Sequence, residues 1–404
     1  MGIEMTDLED VKGIAGAAGK PQFSGEWVKL GELCDICSGG TPKRSTSKYW
    51  NEGSIPWVKI SDISNKYVYS TEERITEEGL KCSSAKMLAP GTLLYSIFAS
   101  IGAVGILKIP ATTNQAIAGL SIKTDKIDRD YLYHFLKSRE ALAKSSGRGA
   151  AQNNINLTIL RGMEVPVPPI DEQKSIAGKL EEVTAQIEKA KSFHDQLNSL
   201  VKSRFVEMFG DPNLIQQSET WERIGNLCEV VGGATPKTSV DEYWNGGLPW
   251  ITPAEIKEGD KFLYDTQRKL SEAGVRSTSM SRMPIGTVIL SSRAPIGKVA
   301  IAGIEMYCNQ GFKNLICGPE VLPGYLYELL RANSEYLNSL GRGATFKELS
   351  KKTVDNIKIP VPALERQGEF VDFASKVDKL RFDVQQQIDK LELLKNSLMQ
   401  EYFG

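Results

Sequence analysis

Residues 165–210, VPVPPIDEQKSIAGKLEEVTAQIEKAKSFHDQLNSLVKSRFVEMFG, decide the fold, because residues 359–404, IPVPALERQGEFVDFASKVDKLRFDVQQQIDKLELLKNSLMQEYFG, repeat them at an offset of 194. No helix persists through Pro166-Val167-Pro168 or Pro360-Val361-Pro362, so each run marks where a helix can start. Beyond the first run, Ile176, Leu180, Val183, Ile187, Ala190, His194, Leu197, Val201, Arg204 and Met208 recur in steps of three and four. Phe370, Ala374, Val377, Arg381, Val384, Ile388, Leu391, Lys395, Leu398 and Tyr402 do the same in the second copy. Both are seams of the coiled-coil kind. Polar interruptions alternate between copies: His194 and Arg204 stand where the second copy has Ile388 and Leu398, and Arg381 stands where the first has Ile187. A helix of about 38 residues is a rod of about 57 Å. Neither seam can be buried alone, and each is the other's best partner by length and pattern. Two arrangements satisfy them: an antiparallel pair with one globular domain at each end and a pseudo-two-fold axis, or two helices packed on their own domains.

Working outward, the repeat covers nearly the whole chain. Trp27, Gly31, Leu33 and Cys34 return as Trp221, Gly225, Leu227 and Cys228. Thr41-Pro42-Lys43 returns as Thr235-Pro236-Lys237, and Tyr49-Trp50-Asn51 as Tyr243-Trp244-Asn245. The offset slips to 193 at Pro56-Trp57 and Pro249-Trp250, then to 195 from Gly91-Thr92 to Asn114-Gln115, matching Gly286-Thr287 and Asn309-Gln310. It is 194 again at Tyr131-Leu132-Tyr133 and Tyr325-Leu326-Tyr327, at Gly147-Arg148-Gly149-Ala150 and Gly341-Arg342-Gly343-Ala344, and at Gln173 and Gln367. Each copy reads as a strand-rich region, a short helix and a long helix. Thr92–Ile97 and Thr287–Leu290 have the apolar character and flanking Gly/Pro of strands. Gly39-Gly40-Thr41-Pro42 and Gly53–Pro56 read as loops, and Tyr131–Ser145 as a helix stopped by a glycine. The fold class is α+β. The divisions are a tail at 1–20, a globular domain at 21–170, a helix at 171–210, a second domain at 211–364 and a second helix at 365–404.

Composition excludes more than it selects. The 404 residues are 41% hydrophobic and 25% charged, ordinary for a globular chain. No apolar run is long enough for a membrane span, and the acidic N-terminus lacks a signal-peptide pattern, so a cytoplasmic location is expected. Residues 21–170 carry 18 basic and 14 acidic side chains, against 17 of each in 211–364. That is a weak pointer to a polyanion, equally compatible with ordinary surface scatter. Cys34 and Cys37 form a C-x-x-C, but no second pair follows to complete a zinc site, and Cys37 becomes Val231 in the second copy. The cysteines read as small apolar core residues.

Catalytic patterns are missing. With two histidines, His134 in the short helix and His194 in a seam, a His-based triad or metal cluster has no material. There is no phosphate-binding Gly-x-x-x-x-Gly-Lys-Ser/Thr loop, and no adenine-methyltransferase motif. Glu255-Ile256-Lys257 has a nuclease-like Glu-x-Lys spacing without a partner aspartate. What remains suits binding. The Ser38–Lys48 loop and its counterpart Gly232–Ser239 offer backbone N–H groups, hydroxyls and lysines, the groups that satisfy phosphates. Lys43, Lys48, Lys237, Lys298, Arg148 and Arg342 are candidates of the same kind. Asn114, Gln115, Asn309 and Gln310 have amides able to read adenine or to brace a loop. Trp50, Trp57, Trp244 and Trp250 read as core or loop anchors.

Gly-Gly-Thr-Pro, Tyr-Trp-Asn, Pro-Trp, Asn-Gln, Gly-Arg-Gly-Ala and Val-Pro-Val-Pro-x-x-x-x-Gln before a long helix, in this order and repeated with Gly-Ala-Thr-Pro and Ile-Pro-Val-Pro in the second copy, resemble the specificity subunit of type I restriction–modification systems. The resemblance implies two target-recognition domains separated by an antiparallel pair of helices, each domain reading one half of a split, asymmetric site in double-stranded DNA. It implies a non-catalytic chain without a cofactor of its own. Two methyltransferase subunits would dock on it and use S-adenosylmethionine on adenine; restriction subunits would add ATP- and Mg-dependent translocation and cleavage. Other classes stay open: a fused enzyme, a coiled-coil scaffold without DNA, and a stand-alone DNA-binding regulator.

The duplication also sorts residues. If the half-sites differ, bases must be read where the copies differ, and matched residues should be scaffold, phosphate contacts or docking surface. Lys43 with Lys237, Asn114 with Asn309 and Arg148 with Arg342 are then common contacts. Arg44, Ser45 and Lys48 against Thr238 and Ser239, Phe98 and Ser100 against Arg293 and Pro295, and Asn65-Lys66 against Lys257 are candidate readers. Arg293 is the foremost guanine reader, since a bidentate arginine is the commonest specific contact; the alternative is a structural ion pair.

Overall fold

The structure, a computed structural model, describes residues 25–98, 102–146, 155–215, 218–257, 259–342 and 347–404. The tail at 1–20, Ser100 and Arg148 lie outside these residues. The chain divides into two compact units, Met1–Lys191 with Gln386–Gly404, and Ser192–Gln385. The division cuts both long helices midway instead of falling at their starts.

In the first unit a five-stranded sheet has the order Cys34–Ser38, Ile117–Ile122, Leu93–Ser96, Val104–Leu107, Tyr67–Val68. All pairings are antiparallel except the last. Alternation along the buried central strands sends side chains into two cores. Leu93, Tyr95, Ile106 and Leu120 join Tyr131, Leu132, Phe135 and Leu136 of the helix Arg129–Ser146. Leu94, Leu107 and Ile117 meet Val58, Ile63 and Leu88 on the other side. A three-stranded sheet places Ile55–Val58 between Glu73–Ile75 and Thr112–Thr113. Ile55 and Pro56 therefore belong to a strand, not to the loop expected over Gly53–Pro56. Pro56 has no N–H to donate, but its carbonyl accepts from Thr112 Oγ1 at 3.1 Å, and it sits opposite Arg74 in register.

The second unit repeats this topology. Its five strands run Cys228–Gly232, Lys313–Cys317, Val288–Leu290, Val299–Ala302, Phe262–Leu263, and Trp244–Ile251 is the middle of the three-stranded sheet. The C-x-x-C pair lies within the strand Cys34–Ser38. Positions three apart on a strand face opposite ways, so these thiols cannot share a metal. Burial pushes the Cys34 thiol up to about 12, as suits an inert core residue.

The long helices span Ile170–Phe209 and Leu364–Phe403. Among the described residues, no helix is long and apolar enough to cross a membrane. Matched glutamines secure both helix starts. Gln173 is fully buried; its Nε2 donates to the carbonyls of Lys126 and Pro168, both at 2.8 Å, and its Oε1 accepts from Asp128 N–H at 2.8 Å. Gln367 repeats this with Glu320, Pro362 and Leu322. Tyr131 and Tyr325 add a hydroxyl to the carbonyls of Pro166 and Pro360.

Within each unit the two helices run antiparallel. In the first, Lys191 pairs with Glu392 at 2.6 Å while Lys179 lies over Tyr402. In the second, Arg366 donates to the Met208 carbonyl at 2.6 Å and Arg204 lies over Phe373. Within the first unit both kinds of contact occur: Ile176 and Leu180 enter their own domain's core, and Leu398, Met399 and Tyr402 of the other helix pack against that same core. Seam residues Ile176, Leu180, Val183, Ile187, Leu197, Val377, Val384 and Ile388 are buried. Leu391 and Leu398 are only half-buried, a departure from the pattern near the end of the second helix.

Each domain is completed by the other copy's helix. Phe403 stacks edge-on against Tyr131 and Phe135, at 5.3 and 5.9 Å. Its counterpart Phe209 meets Tyr325 and Phe370, at 5.0 and 5.6 Å.

His134, 4% exposed, gives the first unit an acid sensitivity. Burial, followed by Lys66 and Lys395, drives its pKa down to about 3, while Asp130 pulls weakly the other way. The unfolded chain takes up the proton below about 6.5 and the folded one does not. The stability contribution is therefore complete above that pH and lost as pH falls, by about 2 kcal/mol at pH 5. Urea midpoints of the wild type should fall between pH 7 and pH 5 more steeply than those of His134→Leu; parallel curves would show that this imidazole is not held neutral.

Candidate nucleic-acid interface

The Gly-Gly-Thr-Pro loop is built by close approach. Gly39 N–H donates to the Ile117 carbonyl at 3.1 Å, and a Cβ at Gly39 would lie 2.2 Å from the Thr113 carbonyl oxygen. At its counterpart Gly233 a Cβ would lie 2.0 Å from the Cys308 carbonyl oxygen. Only glycine allows such contacts. Two indoles then hang the loop on the three-stranded sheet. Trp57 Nε1 donates to the Gly40 carbonyl at 2.9 Å, and Trp50 Nε1 to the Lys43 carbonyl at 3.3 Å. Trp250 and Trp244 do the same for Ala234 and Lys237, at 3.0 and 3.3 Å. Each pair packs edge to face with centroids 5.0 Å apart. The tryptophans are anchors, as their spacing suggests.

The Asn-Gln turn locks onto this loop. Thr41 Oγ1 donates to Gln115 Oε1, and Thr235 Oγ1 to Gln310 Oε1 at 2.5 Å. Asn114 Oδ1 accepts from Ala116 N–H at 3.0 Å, and Asn309 Oδ1 from Gly311 N–H at 2.9 Å. Each asparagine oxygen thus braces the turn itself, the bracing role expected of these amides. The exposed glutamines remain at the surface beside exposed Lys43 and Lys237, and these two lysines have no ion-pair partner among the described residues.

Other candidates have partners within the protein. Arg44 pairs with Glu73 and Lys48 with Glu78. Lys298 turns inward, donating to the carbonyls of Ile256 and Pro253 at 2.7 and 3.2 Å, because the loop at 253–256 leaves those oxygens otherwise unpaired; its expected DNA contact is corrected to a loop brace. Glu255, of the nuclease-like fragment, accepts from the N–H groups of Thr252 and Gln267, at 2.9 and 2.7 Å, as Asp62 does from Lys59 and Glu72. Lys66 corresponds to Lys261, not Lys257. Its carbonyl accepts from Ile106 N–H, as that of Lys261 accepts from Ile301 N–H. Lys66 joins Asp130 and Glu181, and Lys261 joins Asp378 and Glu328. Both pin a domain to its long helix, so Lys66 is matched scaffold and not a reader. The slip in offset between Trp57 and Gly91 hid the correspondence.

At one place the copies differ in chemistry. Ile97 N–H donates to the Ala116 carbonyl, and Ser292 N–H to that of Gly311, so the residues after them, Phe98 and Arg293, occupy equivalent places. Arg293 Nε meets Glu348 Oε2 at 3.0 Å, and Lys313 Nζ approaches Glu348 Oε1 at 3.4 Å. Exposed Arg342 is bridged through its backbone to Glu348, at 3.0 and 3.2 Å. Where the second domain has Arg293, Lys313 and Glu348, the first has Phe98 and, in the place of Lys313, a buried Ala118. Lys313 and Glu348 were missed by the sequence reading; Lys313 was reachable through the offset of 195, while Glu348 needed the fold.

Arg268 was missed as well. Its guanidinium lies 3.4 Å from the Trp244 ring centre and 5.6 Å from that of Trp250. Arg44 lies 3.9 and 4.7 Å from Trp50 and Trp57. Exposed contacts of this kind contribute about 0.5–1 kcal/mol each.

Comparison with known proteins agrees in kind. The type I restriction modification DNA specificity domain matches residues 25–197 and 218–393. The specificity subunit of the type I restriction enzyme MjaIX of Methanocaldococcus jannaschii is 36% identical over 210 residues, covering 50% of this chain and 48% of that one. Against this relative the chain spans about half the length. The MjaVIII specificity subunit of the same organism is 23% identical over 403 residues, covering 93% and 91%. A solved chain from a study of type I R-M assembly and conformational transition superposes with a TM-score of 0.62 at 20% identity, covering 96% of this chain and 99% of that one, a likeness of fold.

Proposed function

The chain belongs to the type I restriction modification DNA specificity family, and from this we propose that it is the sequence-recognition subunit of such a system, with each globular domain reading one half of a bipartite, asymmetric site in double-stranded DNA. The observation that carries the reading is the contrast between the copies. They share loop, anchors and helix clamps residue by residue, yet at equivalent places one has Phe98, with Ala118 in its core, and the other an ion-paired cluster of Arg293, Glu348 and Lys313. Shared scaffold with divergent charge at equivalent places is what two readers of different half-sites require. The helices would set the spacing and dock two adenine-methyltransferase subunits. S-adenosylmethionine, ATP and Mg would act in partner subunits, and the chain alone would turn nothing over.

Arg293 remains the foremost base reader, held in orientation by Glu348. Co-expressed with the methyltransferase of its own system, the wild type should direct adenine methylation to a two-part motif. Arg293→Ala should relax base choice in one half only, by about 1–3 kcal/mol at one position, with the other half unchanged in the methylation map. Uniform weakening at every sequence would make Arg293 a phosphate contact instead, and a map without a two-part motif would reject the recognition reading.

A further inference from the structure

The guanidinium over the paired indoles is the same object in both domains, although it comes from different places in the chain. Arg44 lies in the loop, where the second copy has Thr238. Arg268 lies in a strand: it sits opposite Trp250 in register, as Glu73 sits opposite Trp57. The copies have exchanged the origin of the cation and kept its location. Comparing the copies by sequence sorts Arg44 and Arg268 as mismatches and hence as base readers. Comparing them in space makes them one shared feature, and a shared feature cannot choose between different half-sites.

The geometry points to a phosphate-binding role: Arg44 and Arg268 are equivalent contacts to the DNA backbone, one in each half-site. Three observations support it. Both side chains are exposed, so the cation is presented and not consumed in a core. Stacking on an indole holds the guanidinium flat and leaves its N–H edge available, the pre-organised fork that suits phosphate oxygens. The tryptophans under it are those that hang the loop bearing Lys43 or Lys237, so each domain sets an arginine and a lysine at one loop. In the first domain Glu73 fixes Arg44 through a single guanidinium nitrogen; in the second, Arg268 has no carboxylate partner among the described residues. The inference rests on the recognition reading and deepens it: the ligand is a duplex DNA phosphodiester, without base preference.

Equilibrium binding of the subunit–methyltransferase complex to a duplex carrying its site, measured across salt concentrations, tests this. Arg44→Gln and Arg268→Gln should each weaken binding on the order of tenfold, equally for the cognate site and for every single-base variant. Each should lower the slope of log affinity against log salt by about one. The triple variant R44T/K59T/E73R builds into the first domain the residues found at Thr238, Thr252 and Arg268, and it should restore both affinity and slope. Altered base preference in one half-site, or unchanged affinity and slope in both single variants, overturns the inference. So does a triple variant that melts with the wild type yet binds as weakly as Arg44→Gln. Failure of the wild-type complex to bind any bipartite site overturns the recognition reading itself; a wild type that binds specifically beside indifferent arginine variants overturns the inference alone.

Discussion

Phe403→Ala is expected to destabilise the first unit by about 3–5 kcal/mol, the usual loss for truncating a buried phenylalanine. The residue stands one place from the end of the chain, yet it is 1% exposed and packed on Tyr131 and Phe135 of the N-terminal domain. Arg139 also donates to its backbone carbonyl. Truncation leaves a cavity that the short helix, held by Tyr131 to Pro166 and by Asp128 to Gln173, cannot collapse to fill. Hydrogen exchange should show the loss in the strands Leu93–Ser96 and Ile117–Ile122, with Val288–Leu290 and Lys313–Cys317 retaining their protection. Phe193→Ala, at a position 45% exposed on the first long helix, should change stability by less than about 0.5 kcal/mol. Equal loss of protection in both units after Phe403→Ala would contradict the assignment of the last helical turn to the first domain.

Long-range repetition and helical period were legible because both are written in residue spacing. The helix starts expected after the Pro-Val-Pro runs lie at Ile170 and Leu364, and the apolar seam positions form a buried stripe except at Ala190, Leu391, Leu398 and Tyr402, which are half-buried like the polar interruptions. Strand pairing was not legible, since nothing in a sequence announces which strand lies opposite which. That is why the sequence pattern puts Pro56 in a loop, aligns Lys66 with Lys257 instead of Lys261, and gives no sign of Arg268. The candidate site shows the same division. Matched Thr41 and Gln115, or Thr235 and Gln310, could be singled out by recurrence, but the hydrogen bond between them spans 74 or 75 positions. Charge alone could not tell an available cation from an engaged one. Lys43 and Lys298 look alike in a list of basic residues, and only packing shows that the second is turned toward two backbone carbonyls.

The matched glutamines should produce the second large effect. Gln173→Leu removes one acceptor and two donors from a site sealed from water. Asp128 N–H and the carbonyls of Lys126 and Pro168 would each lose the partner that Gln173 supplies. At about 1 kcal/mol or more for each unsatisfied group, the first unit should lose about 3 kcal/mol, and Gln367→Leu should do the same to the second. Gln173→Glu separates hydrogen bonding from shape. The carboxylate keeps the acceptor for Asp128 but turns two donor contacts into repulsion between oxygens, and it buries a charge. Burial raises the folded-state pKa of such a carboxyl above its unfolded value, so the folded state takes up the proton first. The defect is then largest above the folded pKa and shrinks as pH falls through it, since a protonated carboxyl can donate to one of the carbonyls. The difference in melting temperature between Gln173→Glu and wild type should therefore narrow on acidification, whereas that of Gln173→Leu should not depend on pH. A Gln173→Glu variant as stable as wild type at pH 8 would mean that the clamp is open to solvent and that the helix start is held by the proline run alone.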